Sequence, residues 1–202
     1  MRTFSRLDEA DYKAVDLHES LDSTLLILKS RLDATESRPQ VQLLRAYGDV
    51  PPILCYASKL NQALVNLLTN AVDAIDEQFS SQLLLQDFSQ DFSQDFSKGR
   101  SQPTAQTPTL KVSTQYDSER AIIRVMDNGV GIPNAIQSRI FDQFFTTKPV
   151  GNGVGLGLST AYQIITQDHK GQLSCQSQPG QGAEFTRFSF LAYSYLFRSN
   201  LR

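Results

Sequence analysis

The chain has 202 residues, 40% apolar and 20% charged, with 19 basic against 21 acidic side chains and a net charge of -2. That length suits one sizeable domain with room for an insertion, and the composition is that of a globular protein. A near-neutral balance supplies no basic field for nucleic acid or anionic membrane, and no apolar run approaches the ~18 residues a membrane span needs. The polar opening residues do not form a signal peptide, so the expected location is cytoplasmic, with no nucleic acid and no direct membrane contact. A membrane anchor elsewhere in a longer parent protein stays open. Cys55 and Cys175 sit in strand-like apolar stretches and read as buried free thiols rather than a disulfide.

In chain order, residues 1–14 are charged and read as a helix end. Leu17, Leu21, Leu25, Leu28 and Leu32 then recur by threes and fours, predicting an amphipathic helix over 17–32 with Asp16 as its N-cap. Short strands are predicted at 41–47 and 53–56, around Gly48 and the Pro51-Pro52 pair. Ser58 is the predicted cap of a second helix reaching about Glu77. From 78 to 108 the pattern breaks, with Gln-Asp-Phe-Ser in tandem at 86–89, 90–93 and 94–97 ahead of a Ser/Gln/Pro/Thr-rich stretch. A polar repeat buries too little apolar surface to offset its chain entropy, so a disordered insertion is predicted there. Strands at 110–116 and 121–126 flank a turn signal, Asp117-Ser118-Glu119. A third helix at about 156–168 and strands at 172–177 and 184–190 follow. The predicted class is a two-layer α/β sandwich with a mixed, largely antiparallel sheet, about three main helices, and adjacent strands paired as hairpins.

Three stretches carry chemistry. On the second helix, at about 100° per residue, Asn66, Asn70 and Asp73 share a stripe with Lys59, Gln62 and Glu77 near it. Leu60, Leu64, Leu67, Leu68, Ala71 and Ile75 face the other way. Asparagines are poor helix formers, and an amide oxygen offered to a hard cation is a reason to keep two of them four residues apart. Next, Asp127-Asn128-Gly129-Val130-Gly131-Ile132-Pro133 follows an apolar strand. A carboxylate fixed at a strand end can accept from an exocyclic amine, and glycines let backbone approach a flat ring. Last, Gly151-Asn152-Gly153-Val154-Gly155-Leu156-Gly157 leads into a helix and can present backbone amides to phosphate oxygens. It lacks the Lys-Ser/Thr of a P-loop and the preceding strand of a Rossmann unit. Between the last two stretches, Phe141, Phe144 and Phe145 read as core packing or as the hinge of a mobile segment.

The order of these stretches resembles the N, G1, F and G2 boxes of sensor histidine kinases, within the superfamily of gyrase, Hsp90, histidine kinases and MutL. Pro179-Gly180-Gln181-Gly182-Ala183 is similar to the final glycine box, although Ala183 stands where a threonine is usual. The resemblance implies a Bergerat-type ATP-binding fold over 15–190, preceded at 1–14 by the end of a truncated dimerisation helix and linker. A tail at 191–202 has no assigned role. It further implies ATP and Mg²⁺ as ligands. Asn70 would hold the metal with Asn66 assisting, these two being the catalytic residues. Asp127 would bond the adenine amine, with Gly129 and Gly131 shaping the base pocket. Gly153, Gly155 and Gly157 would line the triphosphate under a lid at about 141–154, with Lys148 a phosphate partner in that lid, and Asp73, Ile132, Phe145, Val154 and Leu156 complete the cofactor-binding set.

By this resemblance the chain donates the ATP γ-phosphoryl to a histidine on a dimerisation domain absent from it. The partners are that domain of its parent chain and a response-regulator receiver domain, with homodimers expected only in the full-length protein. His18 precedes Glu19 but lacks the proline of an acceptor motif and reads as a surface or packing histidine. His169, at a helix end, suits the dipole as a cation. A clamp ATPase is the alternative, yet Asn66 stands where such enzymes place a water-activating glutamate. A protein-serine kinase of the anti-sigma type, and a nucleotide-binding module without catalysis, are the others.

Overall fold

The computed structural model describes residues 12–91, 106–117, 120–149, 151 and 153–191. Asp16 caps helix α1 (Leu17–Ile27), its carboxylate accepting the N–H groups of His18 at 2.8 Å and Glu19 at 3.2 Å. The helix predicted over 17–32 breaks at Leu28 (φ -86°, ψ 2°) before α2 (Lys29–Leu32) resumes. All five leucines of the stripe are nevertheless buried, so the break leaves the apolar face intact.

Two expectations at this end are corrected. Residues 12–14 belong to a strand, β1 (Tyr12–Val15), which pairs antiparallel with β3 (Ile53–Tyr56). The strand is nearly all exposed and shows no alternation for sequence reading to find. The rest of the stretch read as a helix end and linker, residues 1–11, lies outside the described residues. Nor do neighbouring strands β2 (Gln42–Tyr47) and β3 form a hairpin: β2 runs parallel to β4 (Thr109–Asp117). Gly48 donates to the Thr114 carbonyl, and then Pro51 and Pro52, which have no N–H, take the chain out of the ladder.

Helix α3 (Ala57–Asp91) starts directly after β3, which puts Ser58 in its first turn and not at its cap. It also continues far beyond Glu77, so residues 78–91, expected to be disordered, are helical; 92–105 lie outside the described residues. The Gln and Leu residues at 82–86 are good helix formers, and extending an established helix costs far less than starting one.

The main sheet has five strands in the order β2-β4-β5-β7-β6, where β5 is Arg120–Asp127, β6 is Ser174–Ser177 and β7 is Ala183–Leu191. All pairings but β2–β4 are antiparallel, as the predicted mixed sheet requires. Helix α4 (Asn134–Gln137) is a single turn, and α5 (Gly157–Gln163) passes into a π-helical turn (Ile164–Asp168). Leu60, Leu64, Leu67, Leu68, Ala71 and Ile75 of α3 are wholly buried with Leu110, Val112, Ile123 and Val125 of the sheet, forming one core between the two layers. Cys55 and Cys175 are free, the first buried and the second half-buried, and burial pushes both thiols up to about 12.

Candidate functional site

One face of α3 is spent on the core, which fixes where its polar stripe points. Asn66, Asn70, Asp73 and Glu77, spaced by fours and threes, line a cavity of about 760 Å³ along the helix. Lys59 and Gln62, near that stripe on the helical wheel, do not line it. Lys59 pairs instead with Asp168 at 3.2 Å, its ammonium 5.0 Å from the Tyr56 ring centre.

Strand alternation sets the next group. Ala121, Ile123 and Val125 of β5 point into the core, and two residues on the period delivers Asp127 to the same buried face at 3% exposure. Its Oδ1 accepts the Gly129 N–H at 2.9 Å and the Ala183 N–H at 3.3 Å. Its Oδ2 is equally buried and has no hydrogen-bond partner among the described residues. Burial pushes the carboxyl up to about 6, against the opposing pull of those two amides. A buried carboxylate oxygen left unpartnered costs free energy, and such orphans mark sites that await a donor. Ala183 lacks the hydroxyl of a threonine, yet its backbone still reaches the carboxylate.

Packing around this carboxylate is close. Gly129 lies so near Ala74 that a Cβ there would stand 2.4 Å from the Ala74 carbonyl carbon. Gly131, at φ +70°, places its missing Cβ 2.0 Å from the backbone carbonyl oxygen of Gln178. Ile132 is held by its N–H donating to Ser177 Oγ at 2.8 Å, while the Gln137 amide donates to the Ile132 and Ser177 carbonyls. Sequence reading missed Gln137 and Ser177, isolated polar residues in no motif, and also Thr69 of the cavity wall, while Pro179 of the final glycine box lines that wall without having been named as a site residue.

The phenylalanine cluster divides. Phe141 stacks on Tyr162 at 4.9 Å between ring centres, Phe145 lines the cavity beneath the Arg139 guanidinium, and Phe144 is 68% exposed. Phe144 sits at φ 65° and its N–H donates to the Gly155 carbonyl at 2.9 Å, closing the loop that starts α5. Gly155 (φ +71°) packs against the Phe144 backbone, and Gly157 lies across from the Asn66 side chain.

The structure thus brings Asn66, Asn70, Asp73, Gly131, Ile132, Phe145, Lys148, Gly153, Val154, Gly155, Leu156 and Gly157 around one cavity. Asp127 and Gly129 are not on its surface. Gly129 packs against Ala74, which is, and its N–H donates to the Asp127 carboxylate. Lys148 pairs with the Asp73 carboxylate. His169 corrects the expectation of a cation: its Nδ1 meets the Ile164 carbonyl at 2.9 Å, and its Nε2 accepts the Tyr56 N–H at 3.0 Å. An acceptor nitrogen is unprotonated, and burial pushes this imidazole below its ordinary range. Among the described residues no helix is long and apolar enough to cross a membrane.

Residues 55–192 match the family model of histidine kinase-, DNA gyrase B- and HSP90-like ATPases. The chain belongs to that family. This ATPase-family chain is 33% identical over 186 residues to the sensor kinase CckA of Brucella abortus (strain 2308), covering 92% of itself and 18% of that protein. It is 31% identical over 183 residues to the signal transduction histidine-protein kinase AtoS of Escherichia coli (strain K12), covering 91% of itself and 24% of that protein. It therefore spans a quarter or less of these relatives. The catalytic domain of histidine kinase ThkA superposes with a TM-score of 0.62 at 18% identity, covering 89% of this chain and 97% of that one. The fold is that of a histidine kinase catalytic domain, in line with the sequence reading.

Proposed function

We propose that the chain is the phosphoryl-donor module of a two-component sensor histidine kinase, binding Mg-ATP and presenting the γ-phosphoryl to a histidine on its parent's dimerisation domain. The observation that carries this reading is the orphan Asp127 Oδ2, next to the Gly129–Gly131 stretch of a cavity whose other end is glycine-rich backbone. An exocyclic adenine amine is the donor that oxygen lacks. Gly153, Gly155 and Gly157, with Lys148, suit the triphosphate. The donor set fits Mg²⁺, which keeps most of its waters and takes one or two protein oxygens beside substrate phosphates: Asn70, with Asn66 a turn away, supplies them. When bound, the ion neutralises phosphate charge.

The chain's own part is positioning. Phosphoryl transfer depends on holding donor and acceptor in line and stabilising spread charge. Asn66 has no basicity to take a proton from water, which favours transfer over hydrolysis. The phosphate would then pass to an aspartate on a response-regulator receiver domain, and the module would work in the cytoplasm, as part of a homodimer only in the full-length protein.

Labelled ATP mixed with this chain and the parent's separate dimerisation domain tests the reading. The label should appear on that domain only when Mg²⁺ and both proteins are present, be acid-labile and alkali-stable, and be lost with Asn70→Ala. Rapid ATP turnover by the chain alone would favour the clamp reading, and acid-stable label on a serine the anti-sigma one.

A further inference from the structure

Lys148 does not point freely into the cavity. Its ammonium pairs with Asp73 Oδ2, while Asp73 Oδ1 accepts from Arg31 of α2 at 2.7 Å. The same Arg31 nitrogen donates to Asp76 Oδ2 at 3.0 Å, and Asp76 also binds Arg38, whose side chain is 1% exposed. Within this cluster Asp73 and Asp76 are matched by two arginines from outside the cavity, and Lys148 is a third cation, on Asp73; Glu77, which also lines the cavity, is not part of the cluster. Arg31 is not itself a lining residue. It is held in place from behind, because Arg38 donates to the Arg31 carbonyl, to the Asp33 carbonyl at 2.9 Å and to the Pro39 carbonyl at 3.1 Å.

This arrangement has a consequence for an anionic ligand. A lysine that leaves Asp73 for a phosphate would ordinarily strand a carboxylate facing that same phosphate, and like charges at close range repel. Arg31 stays on Asp73 and removes that penalty. We infer that Arg31 is a positioning residue for triphosphate binding: it neutralises Asp73 so that Lys148 can exchange the carboxylate for the nucleotide's phosphates. The inference rests on the nucleotide reading above and goes beyond it by naming a residue, outside the cavity, that sets the charge of the phosphate end.

The test compares ATP with adenosine, which has the base but no phosphates, by calorimetry on the folded chain. Arg31→Gln should weaken ATP about fivefold, the scale of a partly exposed charge pair, and leave adenosine unchanged. Arg31→Lys should restore most of the loss. Asp73→Asn should tighten ATP about threefold and make Arg31→Gln silent when the two are combined, since no carboxylate then needs neutralising. Equal losses for ATP and adenosine in Arg31→Gln would show a merely structural role and overturn the inference. Weaker ATP binding by Asp73→Asn would do so too, because Asp73 would then be serving the cation directly, and this arm decides the matter if Arg31→Gln fails to fold. Wild-type chain that binds neither ligand would remove the nucleotide reading itself, and with it the role of Arg31.

Discussion

At the Asp127 end of the cavity Gly129, Gly131 and Gly182 are glycine because nothing larger fits, whereas Gly151 in the lid stands in open space, with the close-packed Gly153 and Gly155 beyond it. A methyl group at Gly131 would stand 2.0 Å from the backbone carbonyl oxygen of Gln178, and one at Gly182 2.0 Å from the backbone carbonyl oxygen of Asp127. At Gly151 the same methyl group meets nothing within 4 Å. Side chains follow the same division: Asp127 and Ala183 are buried, while Phe144 and Val154 are 68% and 69% exposed. The contrast teaches which end is pre-formed. A rigid, desolvated wall suits a flat base that is the same in every turnover, and an exposed loop on positive-φ hinges suits a phosphate chain that must enter and leave.

The comparison breaks most visibly at its rigid end. Gly131→Ala adds both a steric clash and a side chain at φ +70°, so we expect it to cost about 2–4 kcal/mol and to abolish nucleotide binding. Urea unfolding with a calorimetric titration reads both, and an unchanged midpoint would mean the loop is not rigid. The smallest effect belongs to Gly151→Ala. There the strain of φ +95° remains but no neighbour is struck, so a cost of about 1 kcal/mol should stay within the lid. Global unfolding should not move and ATP affinity should change less than threefold; a cooperative loss of stability would show the lid to be part of the core.

What the sequence disclosed depended on whether a residue's neighbours were local. The α3 stripe follows from a period of 3.6 and Asp127 from its place at the end of an apolar strand, so the cavity-facing positions of Asn66 and Asn70 and the strand-end position of Asp127 were legible before any coordinates. The glycine runs were legible as backbone devices. The continuation of α3 to Asp91 was hidden, because the good helix formers at 82–86, attached to a buried helix, run directly into a repeat that looks low in complexity. β1 was hidden because Tyr12–Val15 buries almost nothing. Arg31, Gln137 and Ser177 act through partners 42, 40 and 45 residues away in sequence, a distance at which no motif is visible. His169 misled for the same reason: its helix-end position argued for a cation, while the Tyr56 N–H, 113 residues back, requires an acceptor.

The central claim is that Asp127 Oδ2 is the acceptor for the base. The direct measurement is adenosine affinity against pH, with Asp127→Asn as control. The raised carboxyl pKa, about 6, makes ionised Asp127 the form above that value. Affinity should be level above pH 7, fall through pH 6 and be about tenfold weaker at pH 5, while Asp127→Asn binds roughly tenfold to a hundredfold more weakly throughout, with no such slope. A folded pKa raised above 3.8 stabilises the chain fully below 3.8, and that contribution is lost as pH rises through about 6. Protonation of Asp127 at pH 5 is therefore expected not to weaken the fold, which urea unfolding at pH 5 and 7 checks. His169 works in the opposite sense: with its pKa lowered from 6.5, its contribution is lost as pH falls below that value. It is retained in the control, so its effect cancels. A wild-type affinity that is flat from pH 8 to 5, or a slope shared by Asp127→Asn, would contradict the account.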